Sequence, residues 1–154
     1  MGSSPRDRAM NCIVEYSDPH HRLAVIELWK TVFNDPMPHN RPELSIDKKL
    51  AVGDRLFFVA VMDGRVTGTI LAGYDGHRGW LYSVAVAPHQ RGKGLGTALV
   101  RHAEQALTDL GCVKINLQIH TFNESVQAFY QTLGYTPEPI ISMGKRIDAN
   151  VDSH

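Results

Sequence analysis

The segment Val84 to Gly96 reads VAVAPHQRGKGLG and carries the densest chemistry in the chain. An apolar strand pattern runs into a turn with glycine at 92, 94 and 96, and a helical spacing opens at Leu95, Gly96 and Thr97. The first N–H groups of such a helix and the positive end of its dipole aim at one spot, which suits a phosphate. Gly92, Gly94 and Gly96 let a ligand approach the backbone and tolerate positive φ, while Arg91 and Lys93 add positive charge. Two phosphate motifs are excluded on spacing. Walker A requires glycine where Ala87 stands and Ser or Thr where Gly94 stands. A dinucleotide fingerprint counted from Gly94 meets Leu99, and one counted from Gly92 meets Thr97.

The elements that must hold this turn follow from periodicity. Cys12 to Tyr16 reads as a strand, and Asp18-Pro19 as the N-cap and first-turn proline of a helix with Leu23, Ile26, Trp29, Val32 and Phe33 on its inner stripe. A three-proline loop, Asn34 to Pro42, leads into a second helix from Pro42 to about Val52. Leu56–Met62 and Arg65–Tyr74 flank Asp63-Gly64, the signature of a two-residue hairpin, and Gly79–Ala87 adds a third antiparallel strand. The second half follows α/β logic. A helix from Leu95 stops at Gly111, a half-buried strand runs from Val113 to His120, and Asn123 opens a helix with Val126, Phe129, Tyr130 and Leu133 inside, closed by Gly134. A final strand pair is expected around Tyr135 and Ile140–Arg146. The order β-α-α-β-β-β-α-β-α-β-β predicts an α/β class fold, a mixed sheet with helices on both faces.

The glycine turn resembles the pyrophosphate-binding signature of the GNAT superfamily of N-acetyltransferases, Gln/Arg-x-x-Gly-x-Gly/Ala. It is matched by Arg91, Gly94 and Gly96 after a strand ending Val84-x-Val86-x-Pro88. A second landmark of that family is similar here: Asn123 six residues before Phe129-Tyr130, then Leu133-Gly134-Tyr135. The resemblance spans about Asn11 to Ile147. Gly73–Trp80 (GYDGHRGW) and Met143–Arg146 (MGKR) look closest to the small bacterial YpeA-type members.

The resemblance implies acetyl-CoA as co-substrate, with no metal. It implies that the strand through Tyr82 splays from the strand ending at His120, so that the pantetheine arm pairs with main chain at Val84, Ala85 and Val86, where an N–H would stabilise a developing oxyanion. The pyrophosphate would rest on residues 91–97, with Asn123, Phe129 and Tyr130 completing the coenzyme site. It also makes Tyr130 the general acid toward the departing thiolate. Spacing alone would make Tyr130 a core residue. Reference pKa values of about 10 for tyrosine and ~8.5 for a thiol put full proton transfer uphill by roughly 2 kcal/mol.

A general base is harder to place. Many relatives carry a carboxylate on the strand before the turn, but Tyr82 and Ser83 stand there. His120 is the candidate, while Glu27, Asp35 and Glu43 fall where the family's acceptor wall would be. At pH 7 a lysine-like amine of pKa ~10.4 needs ~4.6 kcal/mol for deprotonation and an α-amine of ~7.8 only ~1, so the weak base set favours an α-amine. Two function classes stay open: an N-acetyltransferase acting on a primary amine, or a non-catalytic acyl-CoA-binding regulatory domain.

Composition limits the rest. The chain has 154 residues, 43% hydrophobic, with 16 Lys+Arg against 16 Asp+Glu. One domain over residues 10–154 is expected, with residues 1–9 (MGSSPRDRA) a leader or disordered tail; their likeness to a myristoylation signal fails at Arg6. Zero net charge speaks against a nucleic-acid partner, and no apolar run nears the ~18 residues of a membrane helix. Eight scattered histidines lack metal spacing, and two cysteines are too few for a disulfide framework. The expectation is a cytoplasmic protein, monomer or homodimer.

Overall fold

Asp63 and Gly64 close the central hairpin with φ of 52° and 76°, leaving Met62 opposite Arg65. A turn of this hand follows the natural twist of its strands and fixes their register locally. The structure, a computed structural model, describes residues 10–33 and 41–148. Its elements are β1 (Cys12–Glu15), α1 (Arg22–Val32), α2 (Pro42–Val52), β2 (Phe57–Met62), β3 (Arg65–Tyr74), β4 (Gly79–Val86), α3 (Leu95–Asp109), β5 (Ile115–Asn116) and α4 (Glu124–Thr132). Strands β1 to β4 pair antiparallel in sequence order, and β5 joins β4 in parallel. This is the mixed α/β fold read from the sequence. Residues 1–9 and most of the proline loop, 34–40, which contains Asp35, lie outside the described residues.

The chain divides into a unit ending at Gln118 and a second beginning at Ile119. In the first, α1 and α2 cover one face of the sheet and α3 the other. Val59 belongs to the cluster with Val25, Trp29 and Ile46, whereas neighbouring Phe58 meets His102 of α3 edge-on at 4.6 Å. Successive strand residues point to opposite faces, so the helices do too. Helix α3 ends in a Schellman motif: Gly111, φ 92°, donates to Thr108 O and Cys112 N to Leu107 O.

The structure corrects four readings. Helix α1 starts at Arg22 rather than Pro19, with His21 at its N-cap, and Asp18 Oδ1 accepts from Tyr16 Oη (2.6 Å) and Arg22 Nε (2.7 Å) instead of from first-turn N–H groups. Its buried stripe is Val25, Ile26, Leu28 and Trp29, while Leu23 is 77% exposed. Both stripes contain Ile26 and Trp29; the observed one lays Trp29 flat on Phe57 at 5.8 Å. The strand expected over Val113–His120 shrinks to Ile115–Asn116, paired only with Gly79 and Trp80, and Val113 is 92% exposed. Tyr135 and Ile140–Arg146 form no strand among the described residues, and Ile140, Ile141 and Met143 are exposed. A strand is made by its ladder partner, and alternation in one segment supplies none.

Gly79 admits no side chain. A Cβ there would lie 2.8 Å from Cys112 Sγ and 2.9 Å from Leu107 Cδ1. Gly79→Ala is expected to destabilise the protein by about 1–3 kcal/mol in urea unfolding, through overpacking where β4 meets α3.

Candidate active site

Strand β4 contains a bulge that periodicity does not disclose. Leu71 opposes Tyr82 and Thr69 opposes Ala85, so Ile70 alone faces both Ser83 and Val84. Ser83 takes φ 50°, a left-handed conformation that costs a non-glycine residue on the order of 1–3 kcal/mol and persists only where its surroundings enforce it. An inserted residue exchanges the two faces of the strand downstream, from the α3 side at Gly79 to the α1 side at Ala85. Ala85 and Ala87 therefore enter the core beneath α1, and Val84 and Val86 are half-buried instead of fully buried.

The bulge also decides what the strand edge presents. Ala87 N donates to Thr67 O on β3 at 2.8 Å. With period two, Ala85 turns the same way, and the N–H and C=O groups of Val84 and Val86 point to the opposite edge. Arg91 Nε donates to Val86 O at 3.3 Å, consistent with that direction. Since β5 pairs β4 only at Gly79 and Trp80, this edge has no strand partner beyond Trp80 among the described residues. The strand ending at His120, from which this one is expected to splay, is reduced to Ile115–Asn116, and the main-chain donors of Val84 and Val86 lie along the side of β4 that β5 leaves unpaired.

The glycine turn follows directly. Pro88–Gln90 makes one 3₁₀ turn, and Gln90 anchors it, buried, with Oε1 accepting from Asn11 Nδ2 at 3.5 Å. Gly92 and Gly94 adopt φ of 78° and 82°, and a Cβ on either would meet nothing within 4 Å, so the turn is open above its backbone. Gly94 is the N-cap of α3 and supplies no side-chain acceptor. The first-turn N–H groups, which no helix satisfies internally, thus face an open, positively flanked cradle formed by 91–97. These residues fit a pyrophosphate.

In the second unit, α4 ends in another Schellman motif: Gly134, φ 98°, donates to Gln131 O and Tyr135 N to Tyr130 O. This motif brings the Tyr135 ring edge-on to Tyr130 at 5.7 Å, while Phe129 meets it at 5.0 Å. Leu133-Gly134-Tyr135 is thereby a helix stop that fixes Tyr130. Tyr130 is 7% exposed, and burial pushes its phenol up to about 12. Asn123 occupies the N-cap position without a side-chain cap bond; its Oδ1 accepts from Ser125 Oγ at 3.4 Å. His120 does not end a strand as expected, since β5 stops at Asn116. It is exposed in the following loop, with its ring stacked on Phe122 at 5.1 Å.

Tyr82 is held from the side of α2. The ammonium of Lys49 lies 5.5 Å over its ring and donates to Asp54 Oδ2 (2.8 Å) and Ala72 O. A buried lysine on α2 and the strained Ser83 are both invisible to hydrophobic spacing. Among the described residues no group of His, Cys, Asp and Glu is placed to hold a metal.

The family model described as the Acetyltransferase (GNAT) family matches residues 22–135. The chain belongs to this family. As an acetyltransferase it is similar in fold to Ard1 from Thermoplasma volcanium, at 22% identity and TM-score 0.72 over 82% of each chain. It is also similar to the ribosomal-protein-S18-alanine N-acetyltransferase from Escherichia coli, at 23% identity and TM-score 0.70, covering 81% of this chain and 77% of that one. The PaiA N-acetyltransferase from Thermoplasma acidophilum in complex with coenzyme A matches at 19% identity and TM-score 0.70, over 86% and 93%. No helix among the described residues of this acetyltransferase is long and apolar enough to cross a membrane.

Proposed function

We propose that this acetyltransferase moves the acetyl group of acetyl-CoA to a primary amine, of a small molecule or at the α-position of a peptide or protein, by direct attack in a ternary complex. The observation that carries the reading is the open edge of β4 leading into an uncapped glycine cradle. Acetyl-CoA, when bound, supplies an acetyl thioester already activated toward amines. Residues 91–97 would hold its pyrophosphate, the main chain from Val84 to Val86 its pantetheine arm, and Asn123 and Phe129 would complete the site. Val84 N–H would donate where negative charge develops on the acyl oxygen, and Tyr130 would keep its proton at neutral pH and offer it to the leaving sulfur. His120 would accept the proton of the amine. The single catalytic domain we assign to residues 10–154 is supported by a family match running across both compact units. We assign the enzyme to the cytoplasm as a monomer or homodimer without nucleic acid or membrane; free Cys12 and Cys112 suit a reducing compartment.

The test is free-thiol release from acetyl-CoA across a panel of α-amines, lysine-like amines and small polyamines, beside CoA binding alone. Turnover with at least one amine is expected. Binding without thiol release across the panel would favour the regulatory acyl-CoA-binding reading. His120→Gln is expected to lower kcat/KM by up to about 10²-fold for a lysine-like amine but less than about tenfold for an α-amine, which loses its proton more readily. Equal, small effects on both amines would remove His120 from the proton path.

A further inference from the structure

Ser83 cannot hold its left-handed conformation unaided, and the group that holds it comes from the next strand. Thr69 Oγ1 donates to Ser83 O at 3.0 Å. Thr69 Oγ1 itself accepts from Trp29 Nε1 at 2.8 Å. Thr69 is 0% exposed and Trp29 is buried with it, so the indole–hydroxyl bond forms away from water, where it is stronger and directs geometry more firmly, while the bond to Ser83 O is part-buried. A threonine hydroxyl has one proton and a rotor free to aim it. With the indole N–H donating into its lone pair, the proton is left to point at Ser83 O.

The consequence reaches the reacting edge through one peptide bond. In a trans peptide, C=O and the following N–H point in opposite directions. Thr69 draws the Ser83 carbonyl toward β3, so Val84 N–H must point to the open edge of β4. We infer that Trp29 and Thr69 are positioning residues for acetyl transfer, a buried relay from α1 through β3 that sets the direction of the Val84 N–H donor. Neither side chain reaches the edge, and neither touches a reacting atom. The inference rests on the acetyl-CoA reading above, because it gives that donor its purpose. It adds a specific dependence: donor strength follows the threonine hydroxyl and the indole N–H, not the core volume they occupy.

The experiment compares Thr69→Val, which keeps the shape and deletes the hydroxyl, with Thr69→Ser, which keeps the hydroxyl. In ¹⁵N–¹H spectra of the ligand-free protein, Thr69→Val is expected to displace the Val84 amide and the Trp29 indole resonance, and Thr69→Ser to restore both. In turnover, Thr69→Val is expected to lower kcat about 30–100-fold, the scale of a donor misplaced by roughly an ångström, with the KM for acetyl-CoA within about threefold. Thr69→Ser should return kcat to within about threefold of the parent. Trp29→Phe, which leaves the hydroxyl unoriented, should give an intermediate loss and serves if Thr69→Val fails to fold. An unmoved Val84 amide, or a Thr69→Val enzyme within threefold of the parent, overturns the relay. The coenzyme reading fails separately, if CoA leaves the Gly94 amide of the parent unshifted.

Discussion

Tyr130→Phe is expected to lower kcat by about 10²–10³ while the KM for acetyl-CoA stays within about twofold. Phenylalanine keeps the edge-on contacts with Phe129 and Tyr135 and deletes only the hydroxyl, so stability should change by less than about 1.5 kcal/mol. The phenol is pushed up to about 12 by burial. Against a thiol of ~8.5, complete proton transfer costs about 5 kcal/mol, more than the roughly 2 kcal/mol of unperturbed groups. Tyr130 is therefore better suited to hydrogen-bond a departing thiolate, with the proton moving late, than to protonate it outright. The rate should show no falling limb from Tyr130 below about pH 11, and a limb at lower pH belongs to another group. The folded-state pKa lies above that of the unfolded chain, so burial of the neutral phenol adds stability below about pH 10 that is lost as pH rises toward 12. A Tyr130→Phe enzyme within twofold of the parent would make Tyr130 a packing residue and give proton delivery to water.

The parts legible in the sequence are those specified by local chemistry. Asp63-Gly64, Gly111 and Gly134 each mark a backbone that needs positive φ, and each stop or turn lies where its residue type puts it. Pro42 and Gly53 bound α2 in the same way. What local pattern leaves open is decided by partners. The stripe of α1 depends on whether Val25 and Leu28 or Leu23 join Trp29 against the sheet, and the surface that receives Trp29 is Phe57, far along the chain. The strand after Val113 alternates well but has only Gly79 and Trp80 to pair with. At the candidate site the glycine cradle was readable because its chemistry is carried by residue type. The bulge at Ser83 was not, because its cause is a threonine on another strand and a tryptophan on a helix. The same bulge sets which edge the main chain of Val84 and Val86 faces, and residue type is silent about main chain.

The second large effect tests the cradle. Coenzyme A at about a hundred times its Kd should add about 2.7 kcal/mol to the folded state, raising the melting temperature by roughly 5–10 °C, whereas ATP and NAD should raise it far less. Gly94→Asp should abolish that shift. Nothing within 4 Å obstructs a Cβ at Gly94, and aspartate tolerates its φ of 82° better than most residues. A carboxylate at the N-cap of α3 also satisfies first-turn N–H groups and the helix dipole, a gain of about 0.5–1 kcal/mol over glycine that offsets part of the backbone strain. The ligand-free variant should therefore melt near the parent. The stabilising contact is the damaging one: the carboxylate takes the donors that a phosphate would use and repels its charge. Gly94→Ala, which adds the Cβ without the charge, should keep part of the shift. Equal protection of the parent by ATP, or a full CoA shift in Gly94→Asp, would remove the pyrophosphate from this turn.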